Sequence, residues 1–329
     1  GQEWIAGGNA CATPAGVGWI MDYVYVGDCR GSFARIIAGE REMPGMYDPR
    51  HPDRPIRYVD EDLHVEAITP TNIEMSKGCP RRCLFCIHPW RHRYQEQPRE
   101  VVEDFIRKFP KMRLGLISNS SDDVSYYEEI SELLHATGKQ DMTVSNAVQS
   151  YSQKIAEQRK ADMLFGVEGM SERLRWIVNK PISRDLLREK IDLCMSTSGK
   201  LRVIYQFNLP GETERDIDEF ESDVEYFRAK YTTGALATTF IPNQPSAHTP
   251  FQWIVPRYSL ATQARLMDLR KRFIGSGKTG LGVYLPTPLG PKNWFSQVVA
   301  EWLPVTPTLD AAIQKLPQRA EVPEMIDAL

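Results

Sequence analysis

The sequence predicts an α/β fold of parallel strands, and three observations carry that prediction. From Asn72 onward, short apolar strands alternate with longer amphipathic helices. The helices are long enough to serve as right-handed crossovers between neighbouring parallel strands. At 329 residues and 42% hydrophobic, the chain can bury one large core, or one core plus a small appendage.

The beat opens with a strand over 72–75 and a helix over 98–108, then a strand over 113–117 and a helix over 125–135. A strand over 142–145 leads to a helix over 152–159, and a strand over 163–167 to a helix over 183–196. A strand over 201–207 precedes the helix 214–230, and a strand over 235–241 precedes the last helix, 260–273. Pro210-Gly211 suits a tight turn, and Thr213 followed by acids suits the N-terminus of the 214–230 helix. Six such units suit either an incomplete barrel or an open doubly wound sheet, and periodicity alone does not choose between them.

Upstream, Trp4-Ile5-Ala6-Gly7-Gly8 and Asp22-Tyr23-Val24-Tyr25-Val26-Gly27 read as two further strands ending in glycine turns. Pro44, Pro49, Pro52, Pro55 and Pro70, set among many charges, mark a surface linker. Downstream, 275–290 is glycine-rich, and 304–329 holds at most one short helix, over 309–316. The expected division is an N-terminal segment 1–42, a linker 43–70, the strand–helix region 71–274 and a C-terminal extension 275–329. Gly1 is followed at once by what reads as an interior strand, so the chain is expected to start inside a domain.

A net charge of −3 gives no nucleic-acid footprint at whole-chain level. No apolar run approaches the roughly 18 residues of a membrane span, and no signal peptide is read at the start. Cys11, Cys29 and Cys194 are scattered, unlike a secreted disulfide framework, which points to a reducing cytoplasm.

The other half of the six cysteines falls in Gly78-Cys79-Pro80-Arg81-Arg82-Cys83-Leu84-Phe85-Cys86, spaced C-x3-C-x2-C. Thiolates this close in sequence are poor disulfide partners but can converge on one metal centre. Three ligands leave one metal position for something the protein does not supply. A structural zinc site normally closes with four protein ligands. His88 or His92 offers a fourth, but no second cysteine pair exists, and iron–sulfur is favoured over zinc.

Three cysteines at this spacing, directly after the first strand of a strand–helix repeat, resemble the signature of the radical S-adenosylmethionine (SAM) superfamily. Similar members are those with a cobalamin domain and, more distantly, the methylthiotransferases. The resemblance implies a partial (β/α)6 TIM-type barrel, with a partial Rossmann-like N-terminal segment and a short C-terminal extension. It implies that Cys79, Cys83 and Cys86 bind three irons of a [4Fe–4S] cluster while SAM chelates the fourth. One electron then splits SAM to methionine and a 5′-deoxyadenosyl radical, at the strand ends where barrel chemistry belongs.

By the same resemblance Phe85 lies beside the adenine ring, although an apolar packing role accounts for it equally. Glu168, in Gly166-Val167-Glu168-Gly169, matches a glutamate that accepts bonds from the SAM ribose; the plainer reading is a surface acid in a turn. Lys180 follows the pattern of the branch, a solvated lysine being the plainer reading. Asn208-Leu209-Pro210-Gly211-Glu212-Thr213 resembles the family's G-L-P-G-E-T turn, with Asn208 in place of glycine. Its Asn208 and Gly211 backbone is implied to approach the adenine, or else simply caps the next helix. The Gly-Gly-Glu motif expected after the second strand is replaced by Ser118-Asn119-Ser120-Ser121-Asp122-Asp123, where Ser118 and Asn119 are expected to meet the SAM amino group.

The segment 1–42 looks like the last third of a cobalamin-binding domain. Cobalamin is therefore implied only for a longer chain that supplies the rest. Asp62-Leu63-His64-Val65-Glu66-Ala67 nearly matches the cobalt-gripping D-x-H-x-x-G, but it ends in alanine and lies in the linker, a coincidence. The expected function is reductive SAM cleavage for substrate modification, with methyl transfer among the outcomes. The rival is a non-catalytic iron–sulfur or zinc-binding module on a barrel scaffold. Lys77, Arg81, Arg82, Arg91, His92 and Arg93 offer a dock for an acidic flavodoxin- or ferredoxin-type electron donor, or else a solvated loop.

Overall fold

The computed structural model describes residues 2–18, 20–63, 69–142, 145–158, 163–231, 235–255, 257–272, 280–284, 291–302, 307–316 and 325. Packing divides the chain into two units, one drawn from 1–62, 244–258 and 288–329, the other from 63–243 and 259–287.

In the smaller unit, β1 (Ile5–Ala6) pairs parallel with β2 (Tyr23–Tyr25), and β2 pairs antiparallel with β3 (Met46–Tyr47). Cys11, Val24, Val26 and Tyr47 form its buried cluster, with Ile56 and Tyr58 packed against them. At Gly27 (φ +110°) the chain passes so close to Val59 that a Cβ would lie 2.2 Å from the Val59 carbonyl oxygen. Only glycine fits that crossing. The helix Pro291–Trp302 belongs to the same unit, its buried Trp294 ring 5.4 Å from that of Tyr258. The near-match histidine, His64, lies outside the described residues.

In the larger unit β4 (Asn72–Glu74) leads into β5 (Ser76–Lys77), which pairs antiparallel with β6 (Gln95–Glu96). The cysteine loop is the excursion between these two short strands. A parallel sheet runs β4, β7 (Arg113–Ile117), β8 (Gln140–Asp141). A second parallel sheet runs β9 (Ser145–Asn146), β10 (Met163–Glu168), β11 (Lys200–Phe207), β12 (Ala235–Pro242), β13 (Gly280–Tyr284). The strand expected over 142–145 is therefore met as two pieces, β8 on the first sheet and β9 on the second, with 143 and 144 outside the described residues. Beyond the sixth expected strand, β13 adds another parallel partner to β12 in a stretch that the sequence reading saw as merely glycine-rich.

The strand order decides between the two architectures that periodicity left open. A doubly wound sheet reverses direction at a switch point, whereas here parallel neighbours follow chain order without reversal, as in a barrel. The fold is α/β, a partial TIM-type barrel.

Burial along its strands alternates: Met163, Phe165 and Val167 in β10, and Leu201, Val203, Tyr205 and Phe207 in β11, are buried. That face packs on helices, with Tyr205, Phe220 and Phe240 in mutual ring contact at 4.9–5.6 Å. Phe220 comes from the helix Glu214–Lys230, whose buried Ile217, Phe220, Val224 and Phe227 recur at helical spacing. Thr213 caps that helix as expected, in a capping box with Asp216. The opposite, less buried face of β10 and β11 carries Gly166, Glu168 and Gln206, and so opens onto the candidate site.

Candidate active site

The cysteine loop has little regular structure, so its shape must come from bonds to other segments. It begins at Gly78 (φ +72°), where a Cβ would stand 2.9 Å from the carbonyl oxygens of both His92 and Arg93. Asn119 Nδ2 donates to Gly78 O at 2.9 Å, and Asn179 Nδ2 to Arg82 O at 2.7 Å. Leu84 N donates to Val178 O at 3.0 Å, and Trp90 Nε1 to Cys83 O at 3.1 Å. Arg81 forms a two-bond pair with Asp123, Nε to Oδ2 and Nη2 to Oδ1, both at 2.6 Å.

All three loop cysteines are free thiols. Burial raises the pKa of each, that of Cys83 to about 11, while the nearby Lys180 ammonium acts in the opposite direction on all three. Glu168 acts on Cys83 and Cys86, and the three thiols act on one another. Because Leu84 is bonded to Val178 and Arg82 to Asn179, next to Lys180, the loop, Lys180 and its partner Glu168 share one locality. Metal binding takes such thiols as thiolates outright, offsetting the cost of burying that charge.

Glu168 ends β10 at a register shift against β11, with φ +70°. A non-glycine residue in the left-handed region is uncommon, and strain of this kind concentrates at functional sites. The turn aims the carboxylate between Lys180 Nζ, 3.2 Å from Oε1, and Gln206 Nε2, 2.8 Å from Oε2. Gly166 makes room, since a Cβ there would lie 2.7 Å from Glu168 Oε1. Glu168 is thus no surface acid in a loose turn, and Lys180 is no solvated lysine: each side chain is 12% exposed.

Asn208 also has positive φ, +62°, which explains why asparagine replaces glycine so readily there. Its Oδ1 accepts from Ser259 N at 2.8 Å, while its buried Nδ2 has no hydrogen-bond partner among the described residues. Glu212 closes the same turn, accepting from Leu209 N at 3.4 Å and Thr262 Oγ1 at 3.2 Å. Burial pushes its carboxyl up to about 7. Gly211 has φ +73° and its carbonyl accepts from Arg173 at 2.8 Å. Phe85 is half-buried between Cys83 and Cys86.

Two sequence expectations look different in the structure. Ser118 and Asn119 sit on the loop after β7 as foreseen, but Ser118 Oγ bonds Ser76 Oγ at 2.6 Å and Asn119 holds Gly78. Their side chains serve the cysteine loop. The basic cluster does not act as one patch: Arg81 is engaged by Asp123 and Lys77 is buried, while Arg82 and Arg93 are exposed. Sequence reading missed Gln206, Asp123 and Ser150. The run of Ser and Asp residues over 118–123 was the available signal for Asp123.

A parallel half-barrel with a three-thiol loop on its strand ends has a donor set suited to a metal cluster. The model of the radical SAM superfamily matches residues 73–224, the segment that holds the cysteine loop, Glu168, Lys180 and the Asn208–Thr213 turn. An uncharacterized protein of Methanocaldococcus jannaschii, MJ0966, is 24% identical over 274 residues, 76% of this chain and 61% of the relative. The fold is similar to that of the radical SAM methyltransferase TsrM from Kitasatospora setae, solved with cobalamin and a [4Fe–4S] cluster (TM-score 0.53, 16% identity, 75% of this chain and 56% of that one). It is also similar to the cobalamin-dependent radical SAM enzyme OxsB (TM-score 0.50, 12% identity, 68% of this chain and 38% of that one). The chain thus spans about three-fifths of the curated relative and about half of TsrM.

The residues present fit the superfamily's two cofactors. The free thiols of Cys79, Cys83 and Cys86 are a donor set for a [4Fe–4S] cluster with one iron left open. The unpartnered Asn208 Nδ2 is a buried donor awaiting an acceptor, as a nucleoside ligand provides. Among the described residues, no helix is long and apolar enough to cross a membrane.

Proposed function

We propose that this chain carries the radical-generating core of a radical SAM enzyme of the cobalamin-associated kind. One observation carries the reading: the three-thiol loop is bonded to Val178 and Asn179, beside Lys180 and its partner Glu168, whose carboxylate is also bonded by Gln206. When bound, the reduced [4Fe–4S] cluster supplies the electron that splits SAM into methionine and a 5′-deoxyadenosyl radical. Cys79, Cys83 and Cys86 hold the irons. Glu168, oriented by Lys180 and Gln206, would accept from the ribose hydroxyls, and Asn208 Nδ2 would donate to the base. Phe85 would pack on the base, and the Ser118–Asn119 backbone would meet the amino group.

Methyl transfer to an unidentified substrate is the favoured outcome, because TsrM and OxsB, which share the fold, are a methyltransferase and a cobalamin-dependent enzyme. Cobalamin would bind with the help of a domain beyond residues 1–42. A flavodoxin- or ferredoxin-type protein in the cytoplasm is the proposed electron donor, meeting the exposed Arg82 and Arg93. Anaerobic reconstitution should give about four irons per chain, and dithionite with SAM should release 5′-deoxyadenosine. One zinc per chain without labile sulfide would instead establish a non-catalytic metal module.

A further inference from the structure

The Asp123 carboxylate is saturated in a way that the cofactor reading does not require. Its Oδ2 accepts from Arg81 Nε and Ser120 Oγ, each at 2.6 Å, and its Oδ1 from Arg81 Nη2 at 2.6 Å and from Ser150 Oγ. Asp123 follows β7, Ser150 follows β9, and Arg81 lies between Cys79 and Cys83. One carboxylate therefore ties the metal loop to the ends of two barrel strands. Its side chain is 9% exposed and that of Arg81 22%.

A partly buried ion pair of this sort is a poor device for stability alone, since apolar groups of similar volume often serve as well. It is a good device for fixing geometry, because a planar guanidinium on a carboxylate has one preferred orientation. Asn119 and Asn179 already hold the main chain at Gly78 and Arg82, and the Arg81 pair adds a side-chain anchor between Cys79 and Cys83.

We propose that Asp123 is a positioning residue for the metal centre, holding Cys79 and Cys83 through Arg81, with Ser120 and Ser150 orienting its carboxylate. The proposal rests on the superfamily reading. In metal proteins, groups that orient the ligands typically change metal affinity by about 10–100-fold when removed.

The test compares reconstituted wild type with Asp123→Ala, Ser150→Ala and the double variant Arg81→Met/Asp123→Leu. Three readouts are taken: iron release to a ferrous chelator, the EPR spectrum of the dithionite-reduced cluster, and the melting temperature of the metal-free protein. Asp123→Ala should release iron at least about tenfold faster, and Ser150→Ala a few-fold faster. The double variant should regain the melting temperature yet still release iron quickly and show a changed spectrum. Wild-type iron retention in Asp123→Ala, or recovery of both properties in the double variant, would overturn the proposal. Should Asp123→Ala not fold, wild-type retention and spectrum in Ser150→Ala would overturn it instead. Wild-type protein that takes up no iron and sulfide would overturn the superfamily reading, and this inference with it.

Discussion

The cysteine loop and the Asn208–Thr213 turn both sit at strand ends, yet they are held in different ways. The turn is closed partly from within, Leu209 N meeting Glu212 and Thr213 meeting Asp216, while Ser259, Thr262 and Arg173 bind it from other segments. The loop is held from afar, with Gly78 bound to Asn119, Arg81 to Asp123 and Ser150, and Arg82 to Asn179. A turn that serves as a helix cap can draw on its own helix for support. A loop that presents three free thiols has few residues left to brace itself, so the rest of the barrel supplies its walls.

The sharpest break of this contrast is Cys83→Ala. Iron after reconstitution should fall from about four per chain to a small fraction of that, and the thermal unfolding of the metal-free protein should scarcely change. A cluster retained at full occupancy would remove the loop from the metal centre.

The turn should respond to pH where the loop's anchors do not. Burial raises Glu212 from its ordinary value to about 7. Across the window from that ordinary value to about 7 the folded chain binds more protons than the unfolded one. Stability should therefore fall as pH rises through that window, by up to about 3 kcal/mol. Glu212→Gln should flatten the slope and exceed wild type in stability at pH 8, measured by urea unfolding at pH 5 and 8.

Asn208→Ala should destabilise the larger unit by about 2 kcal/mol, from the left-handed backbone and the lost Ser259 bond together. Asn208→Gly relieves the backbone and should lose only about 1 kcal/mol. Equal losses in denaturant melts would show that the side-chain bond alone matters. Smallest of all, Ser183→Ala removes the cap that accepts from Leu186 N at 3.1 Å, at a cost of about 1 kcal/mol by thermal unfolding.

What the sequence made legible follows the same division. The β10, β11 and β12 strands, the Thr213 cap and the three cysteines are local patterns, and a chain read residue by residue displays them. Long-range partners have no local pattern: nothing around Arg81 says that Asp123 will bind it. Gln206 reads as one polar position in an alternating strand until β10 is laid beside it. The third strand was blurred because its two pieces pair with different sheets, and β13 was hidden because Gly280 and Gly282 interrupt its apolar pattern. Asn208 looked like a departure from the turn pattern, whereas its φ shows the same backbone requirement met by another residue.

Gly166 gives experimenters a quiet handle on the site. An added methyl would stand 2.7 Å from Glu168 Oε1 and 3.2 Å from Lys180 Nζ, on the strand face that points away from the packed helices. Such a wedge would part an acid from its base while leaving the hydrophobic interior and the thiol loop alone. Gly166→Ala thereby offers a variant one carbon away from the native protein, with the Glu168–Lys180 pair disturbed and the cysteines untouched.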